Sequence, residues 1–361
     1  MNKSVFIAQT HIACLQPEAL LESVSAGYAE HFAIERDDNA VTIPMRMGKA
    51  ILTLEDRGIR VIAEAASDSD LSYVKFSIAE GIVHYAGKES LSFAWQGDGA
   101  GEGSLPPFFR EMTVIGVSNV TPHMRRIRLS GDDLIRYASG GLHIRLVIPP
   151  KPPVTVRWPH LGADGRPVWP EGEYRLTARV YTIRAIDAEQ GWVDIDMVVH
   201  PSETTAPGSE WAMQAKVGDL IGMTGPGGGD VPVADIYTLI GDETALPAIG
   251  RILERLPASA VAVVRIEVAD ESEEQVLKTE AQLDLKWLHR NGAEAGTTQL
   301  LIDAVRDVAP VQVGEQRIFA WAGSEFNAFK EIRSFWRKEC KLSREQHMAV
   351  AYWRRGTADE G

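Results

Sequence analysis

Hydrophobic and polar positions change rhythm as the chain proceeds. Apolar residues first recur at helical spacing near Pro17–Phe32, then alternate through short strands at Ala40–Pro44, Lys49–Glu55 and Ile59–Ala65. A second helix is predicted at Asp68–Tyr85, with Leu71, Val74, Ile78 and Ile82 on one face. Strands flanked by two helices predict a small α+β domain over residues 1–96. No catalytic cluster can be read among its polar residues, so a structural or partner-binding module is the expectation and its role stays open. The run Gly97-Asp98-Gly99-Ala100-Gly101-Glu102-Gly103-Ser104-Leu105-Pro106-Pro107 favours open backbone, and a Gly/Pro linker is expected over 97–107.

From Phe108 to Asp230 the pattern turns to β. Glu111–Asn119, His123–Leu129, Leu142–Ile148, Tyr174–Ile183, Trp192–Val199 and Asp219–Thr224 are rich in β-branched residues, alternate in part with period two, and are punctuated by Gly and Pro. Such strands without a long helix predict a six-stranded antiparallel β-barrel over 108–230. The Pro-rich connection Pro149–Pro170 is long enough to be functional or disordered. From 231 to 361 strands and helices alternate. Ile236–Gly241 is a strand, Leu246, Ile249, Ile252, Leu253 and Leu256 mark a helix, and Ala260–Val268 is a second strand, with Trp287 in a third. Arg317–Ala322 follows, then a helix with Phe326, Phe329, Ile332 and Trp336 on one stripe, and a last strand at Met348–Trp353. This pattern predicts a Rossmann-like α/β lobe, mostly parallel, of the type that holds a nucleotide cofactor.

The 361 residues carry a formal charge of −13, which argues against a nucleic-acid partner. No apolar run nears the ~20 residues of a membrane span, and Val5-Phe6-Ile7-Ala8 stops at Gln9-Thr10-His11 before forming a signal-peptide core. A cytoplasmic protein without membrane insertion is expected. Cys14 and Cys340 are far apart, and the histidines show no metal-ligand spacing, so no protein-held metal is expected.

The most informative local sequence is Arg179-Val180-Tyr181-Thr182-Ile183-Arg184. On a strand, Arg179, Tyr181 and Ile183 share one face and Val180, Thr182 and Arg184 the other. An isoalloxazine needs an aromatic platform, a hydrogen-bond partner near N5 and a cation for its pyrophosphate, and Tyr181, Thr182 and Arg179 supply these functions. Taken alone, the hexapeptide fits a surface strand with solvated arginines equally well.

Arg-Val-Tyr-Thr-Ile-Arg resembles the flavin motif of siderophore-interacting proteins, a branch of the ferredoxin-reductase-like flavoenzymes. The resemblance continues through Thr121-Pro122-His123-Met124-Arg125-Arg126, His200-Pro201, Pro207-Gly208-Ser209-Glu210-Trp211-Ala212 and Gly241-Asp242-Glu243-Thr244-Ala245-Leu246-Pro247-Ala248. It closes with Ala322-Gly323-Ser324-Glu325 and Tyr352-Trp353-Arg354-Arg355-Gly356, covering the chain from about Phe108 onward.

The resemblance implies FAD as cofactor, NADPH or NADH as electron donor, and a ferric siderophore as substrate. It implies flavin contacts at Arg179, Tyr181, Thr182, Ile183 and Arg184, with His200, Pro207, Gly208, Ser209 and Trp211 beside them. Helix-start N–H groups after Pro207 suit phosphate, Gly208 permits close approach and Ser209 can cap; an ordinary capped turn is the bland alternative. Asp242, Thr244, Ala245, Pro247, Gly323, Glu325 and Trp353 would border the nicotinamide cleft, where open α/β sheets place ligands. Against the acidic background, Arg126, Arg354 and Arg355 are the expected substrate-binding residues. The acidic run Asp270-Glu271-Ser272-Glu273-Glu274 leans toward NADH if it lies at the adenosine ribose. The implied function is FAD-dependent reduction of Fe(III) in a siderophore. Competing readings are a flavin reductase or electron shuttle to another acceptor, or a non-catalytic siderophore-binding protein. A monomer is expected, with an oligomer as the alternative.

Overall fold

The computed structural model describes residues 5–199, 206–310 and 314–357. These form two compact units. One joins the described residues up to Arg110 with Pro149–Leu176, and the other joins Glu111–Ile148 with the described residues from Thr177 on.

The first unit begins with β1 (Phe6–Ala13), α1 (Pro17–Ala29), β2 (Glu35–Asp37), β3 (Ala40–Met45), β4 (Gly48–Glu55), β5 (Gly58–Ala65), α2 (Asp68–Ala86) and β6 (Gln96–Gly97). The strands form one sheet in the order β2-β3-β4-β5-β1-β6. Ile12, Ile43, Leu52, Ile59 and Val61 pack with Leu20, Val24, Leu71, Val74, Ile78 and Ile82 of the two helices. Strand β1 went unread in the sequence, although its burial alternates with period two: Ala8, Thr10 and Ile12 face inward. Ser67 caps α2 by accepting from the Asp70 N–H, 3.1 Å away.

The barrel consists of β7 (Phe109–Thr121), β8 (Met124–Ser130), β9 (His143–Ile148), later joined by β12 (Thr177–Asp187), β13 (Trp192–Val198) and β14 (Leu220–Gly227). Between β9 and β12 the chain makes a hairpin of β10 (His160–Leu161) and β11 (Pro167–Val168), which belongs to the first unit. There Trp95 donates from its indole to the Asp164 carbonyl at 2.8 Å and from its backbone to Ala163 at 3.1 Å. Leu161 exchanges backbone bonds with Gly103 and Ser104, and Arg166 pairs with Glu80 at 3.3 Å. The long connection is therefore folded, and so is the Gly-rich run against which it packs.

The barrel closes in the order β12-β13-β8-β7-β14-β9 around Leu129, Leu146, Ile183, Ile195 and Met223. Helix α3 (Pro207–Gln214) stands between β13 and β14. The rest of this unit alternates β15 (Ile236–Asp242), α4 (Leu246–Leu253), β16 (Val261–Val268), β17 (Gln282–His289), α5 (Leu300–Asp307), β18 (Ile318–Glu325), α6 (Phe326–Lys338) and β19 (His347–Trp353). All pairs are parallel, in the order β17-β16-β15-β18-β19. Helix α4 buries Leu246, Ile249 and Leu253 in one core, while α5 and α6 bury Leu301, Val305, Ile332 and Trp336 in another. The expected four-residue stripe on α6 is only half right: Ile332 and Trp336 are buried, whereas Phe326 and Phe329 stay half-buried under cations. Among the described residues no helix is long and apolar enough to cross a membrane.

Candidate functional site

Strand β12 carries the hexapeptide along the barrel wall, where it pairs with β9 so that Thr182 faces His143. Thr182 and Ile183 are both buried on opposite faces, Thr182 beside His143 and Ile183 in the barrel core, and a bulge follows between Ile183 and Ala185. Tyr181 lies against the start of α3, and a Cβ at Gly208 would stand 1.9 Å from its hydroxyl oxygen, so a side chain there would have to displace the phenol. Burial pushes the Tyr181 phenol up, and it stays neutral. Arg179 bonds the Ala178 carbonyl and, among the described residues, pairs with no carboxylate. That distinguishes it from most arginines nearby.

Ile183 faces the barrel core, and Arg184 forms a forked pair with Glu254 of α4 at 2.8 and 3.1 Å. Beside it the buried Arg251 of α4 donates to the carbonyls of Leu142, Ile183 and Tyr137. Burial pulls the Arg251 guanidinium down to about 10, still charged at neutral pH. The flavin-motif strand is thus bolted to the first helix of the α/β lobe.

At the sheet's switch point Asp242 ends β15 and accepts four hydrogen bonds. They come from the Thr244 N–H at 3.0 Å, the Thr244 hydroxyl at 2.5 Å, the Glu325 N–H at 3.0 Å and the Trp353 indole at 2.9 Å. Burial and the charge of Glu243 push its carboxyl up, against the pull of these donors. The ends of β15, β18 and β19 meet at this one carboxylate. Ala245 packs beneath Gly241 and Gly323, where a Cβ on Gly323 would approach it to 3.1 Å, and Pro247 sits in the first turn of α4. Glu325 also caps α6 and accepts from the Arg355 N–H.

Pro207 and Ser209 lie in the first turn of α3, Trp211 packs on the barrel core, and His200 lies outside the described residues. Arg126 is held by Asp196 through a fork of 2.6 and 2.7 Å, and Arg128 by Asp194 in the same way. Arg126 and Arg184 line a cavity of about 480 Å³ with Glu254, Gln275 and Lys278, whereas a cavity of equal volume near Phe335 and Leu342 contains no motif residue. Arg355 pairs with Glu294 at 2.5 Å, and the exposed Arg354 stacks over Phe326 at 4.8 Å.

The acidic run has other duties. Glu273 is buried, accepting from the Thr121 hydroxyl at 2.5 Å and the His123 N–H at 2.9 Å; Asp270 caps Ser272, and Glu274 meets His289. Glu273 latches the barrel to the α/β lobe, while Asp270, Glu271 and Glu274 stay exposed. Sequence reading also missed His143 and Tyr352. Thr182 Oγ1 lies 3.4 Å from His143 Nδ1, and the Tyr352 hydroxyl 3.1 Å from His143 Nε2. The period of β9 could have placed His143 opposite Thr182, but Tyr352, although it stands in the last motif of the resemblance, arrives from a strand 170 positions after Thr182, and nothing local pairs it with His143.

Residues 113–230 match the siderophore-interacting FAD-binding domain, and 234–356 match the siderophore-interacting protein family. The chain belongs to the siderophore-interacting protein family. Residues 9–96 match a separate family described as an uncharacterized protein conserved in bacteria. The ferric vibriobactin reductase of Vibrio cholerae is 32% identical over 245 residues, 67% of this chain and 88% of that protein. The NADPH-dependent ferric-chelate reductase of Escherichia coli is 30% identical over 252 residues, 68% and 92% of the two chains. A siderophore utilization protein from T. fusca superposes with a TM-score of 0.57 at 35% identity, covering 69% of this chain and 94% of that one. FAD is the cofactor of this family member, and the residues suit it: an arginine with no carboxylate partner among the described residues, a neutral phenol and a helix start with glycine at its second position lie close together.

Proposed function

We propose that this protein is an FAD-dependent, NAD(P)H-using reductase of ferric siderophores. The observation that carries the reading is the guanidinium of Arg179, without a carboxylate partner among the described residues, on the same strand as Tyr181 and Thr182, where the Tyr181 phenol abuts the helix start at Gly208. Arg179 and the first N–H groups of α3 would hold the pyrophosphate, Tyr181 would lie along the isoalloxazine, and the Thr182 hydroxyl would face N5. Pro207, Ser209 and Trp211 shape that helix start, while Ile183 and Arg184 fix the strand from behind. FAD and the nicotinamide supply hydride acceptance and single-electron delivery; the chain supplies position and exclusion of water.

Asp242, Thr244, Ala245, Pro247, Gly323, Glu325 and Trp353 form the lip over which the nicotinamide would enter. NADPH is the donor we infer, in line with the Escherichia coli relative. Arg354 offers the substrate a cation stacked on an aromatic ring, with Lys330 and Arg333 nearby on α6. An anionic ferric chelate would be drawn there despite the overall negative charge. Arg126 and Arg355 contribute to the local field while held by their carboxylates. Hard oxygen ligands release Fe(II) more readily than Fe(III), because the lower charge weakens each contact. We place the protein in the cytoplasm, as a monomer.

An anaerobic assay with a ferrous trap tests this. NADPH, FAD-loaded protein and a panel of ferric catecholate, hydroxamate and carboxylate chelates should yield trapped Fe(II), and Arg179→Ala should lower both bound flavin and rate by at least tenfold. Flavin reduction by NADPH with no iron released from any chelate would favour an electron shuttle to another acceptor. Protein that binds no flavin would leave only a siderophore-binding role.

A further inference from the structure

Thr182, His143 and Tyr352 form a triangle joining the barrel to the last strand of the α/β lobe. The Thr182 hydroxyl reaches His143 Nδ1 at 3.4 Å and the Tyr352 hydroxyl lies 3.1 Å from His143 Nε2. The rings of His143 and Tyr352 meet edge to face at 5.3 Å, and Tyr352 rests against Trp321 in the same way. Burial and the nearby Arg251 charge pull the imidazole down to about 4, so at neutral pH it is uncharged and presents one donor and one acceptor. Asp242 is the other charged group acting on the triangle, through Tyr352.

A neutral imidazole so placed has two useful states. With the proton on Nδ1, His143 donates to Thr182, Tyr352 donates to Nε2, and the Thr182 proton is free to point into the flavin site. With the proton on Nε2, His143 donates to Tyr352 and accepts from Thr182, whose lone pairs then face the site. The exchange balances: one proton leaves Nδ1 and one arrives at Nε2 while the two hydroxyls turn over, with no electron moved and no net proton gained or lost. Oxidised flavin N5 accepts a hydrogen bond, whereas reduced N5 carries hydrogen and donates one.

We propose that His143 and Tyr352 are positioning residues that let the Thr182 hydroxyl donate to the oxidised flavin and accept from the reduced one, the change being carried by the imidazole tautomer. The inference rests on the placement of N5 beside Thr182 given above, and it makes the end of the nicotinamide lobe part of the flavin's hydrogen-bond environment. Tyr352→Phe removes one corner while keeping the ring. His143→Gln breaks a second, and Thr182→Val removes the group that meets the flavin.

Redox titration with fluorescence-monitored FAD binding gives the ratio of dissociation constants for oxidised and reduced flavin, a quantity that loss of packing alone would not move. Tyr352→Phe and His143→Gln should each change that ratio about tenfold, equivalent to ~30 mV for a two-electron couple, and the double variant should add little. If both leave the ratio within twofold of the parent while Thr182→Val shifts it, the assignment to His143 and Tyr352 is wrong and the flavin placement stands. If Thr182→Val also leaves the ratio and the visible spectrum unchanged, the placement fails and this inference fails with it.

Discussion

The indole Nε1 of Trp353 donates to Asp242 Oδ2 at 2.9 Å, tying the last strand of the α/β lobe to the loop after its first. Because Asp242 also holds the Glu325 N–H, one carboxylate fixes three strand ends around the crevice where open α/β sheets bind ligands. Trp353→Phe keeps the ring and removes the donor. Stability should fall by about 1–3 kcal/mol, and NADPH should reduce the flavin more slowly, while FAD affinity changes little. Denaturant unfolding and anaerobic stopped-flow bleaching of the flavin band measure the two effects, and an unaltered reduction rate would refute a role for this bond in shaping the crevice.

Arg251 is expected to be a strut between lobes. Its guanidinium satisfies three carbonyls of the barrel from a helix of the neighbouring lobe, so Arg251→Met leaves buried acceptors without partners. A loss of about 1–3 kcal/mol is expected, together with separate melting of barrel and α/β lobe by calorimetry. A single unshifted transition would contradict it.

The excursion between β9 and β12 links the first unit to flavin binding through the chain itself. Its last residue, Leu176, directly precedes the strand bearing Arg179, and Trp95 holds its hairpin by two hydrogen bonds. Trp95→Ala should raise the FAD dissociation constant several-fold and make residues between Pro149 and Leu176 sensitive to protease. A protein beginning at Pro106 should show a larger effect, because Leu161, now buried, would lose Gly103 and Ser104. Unchanged FAD affinity in both would separate the first unit from flavin chemistry.

His143 makes stability depend on acid. Its folded value of about 4 lies below the 6.5 of an exposed imidazole, so as pH falls the unfolded chain takes up a proton first. The contribution is complete above pH 6.5 and is lost as pH falls toward 4, amounting to about 3 kcal/mol. Urea unfolding across that window should show the slope in the parent and a flatter one in His143→Gln. Equal slopes would mean that the ring titrates in the fold as it does in the unfolded chain.

Arg354 should act on substrate and not on flavin. Arg354→Ala is expected to raise KM for an anionic ferric chelate several-fold, more at low ionic strength than at high, without altering the rate at which NADPH reduces the flavin. An effect confined to flavin reduction would move Arg354 out of the substrate surface.

The chain's own periodicities carried the barrel, the alternating α/β lobe and the small α+β domain, because a strand or helix face records its burial every second or every three to four residues. The hexapeptide on β12 and the loops after β15 and β18 were legible for a related reason: each lies within one element or one turn. Tertiary structure alone decided what depends on distant partners. It turned Glu273 inward to Thr121, spent Arg126 on Asp196 and Arg184 on Glu254, and left Arg179 without a carboxylate among the described residues. It also brought Tyr352 to His143, 209 positions away. A side chain's charge is written in the sequence, but whether that charge is neutralised depends on a partner within a few ångströms, and only the fold sets that distance.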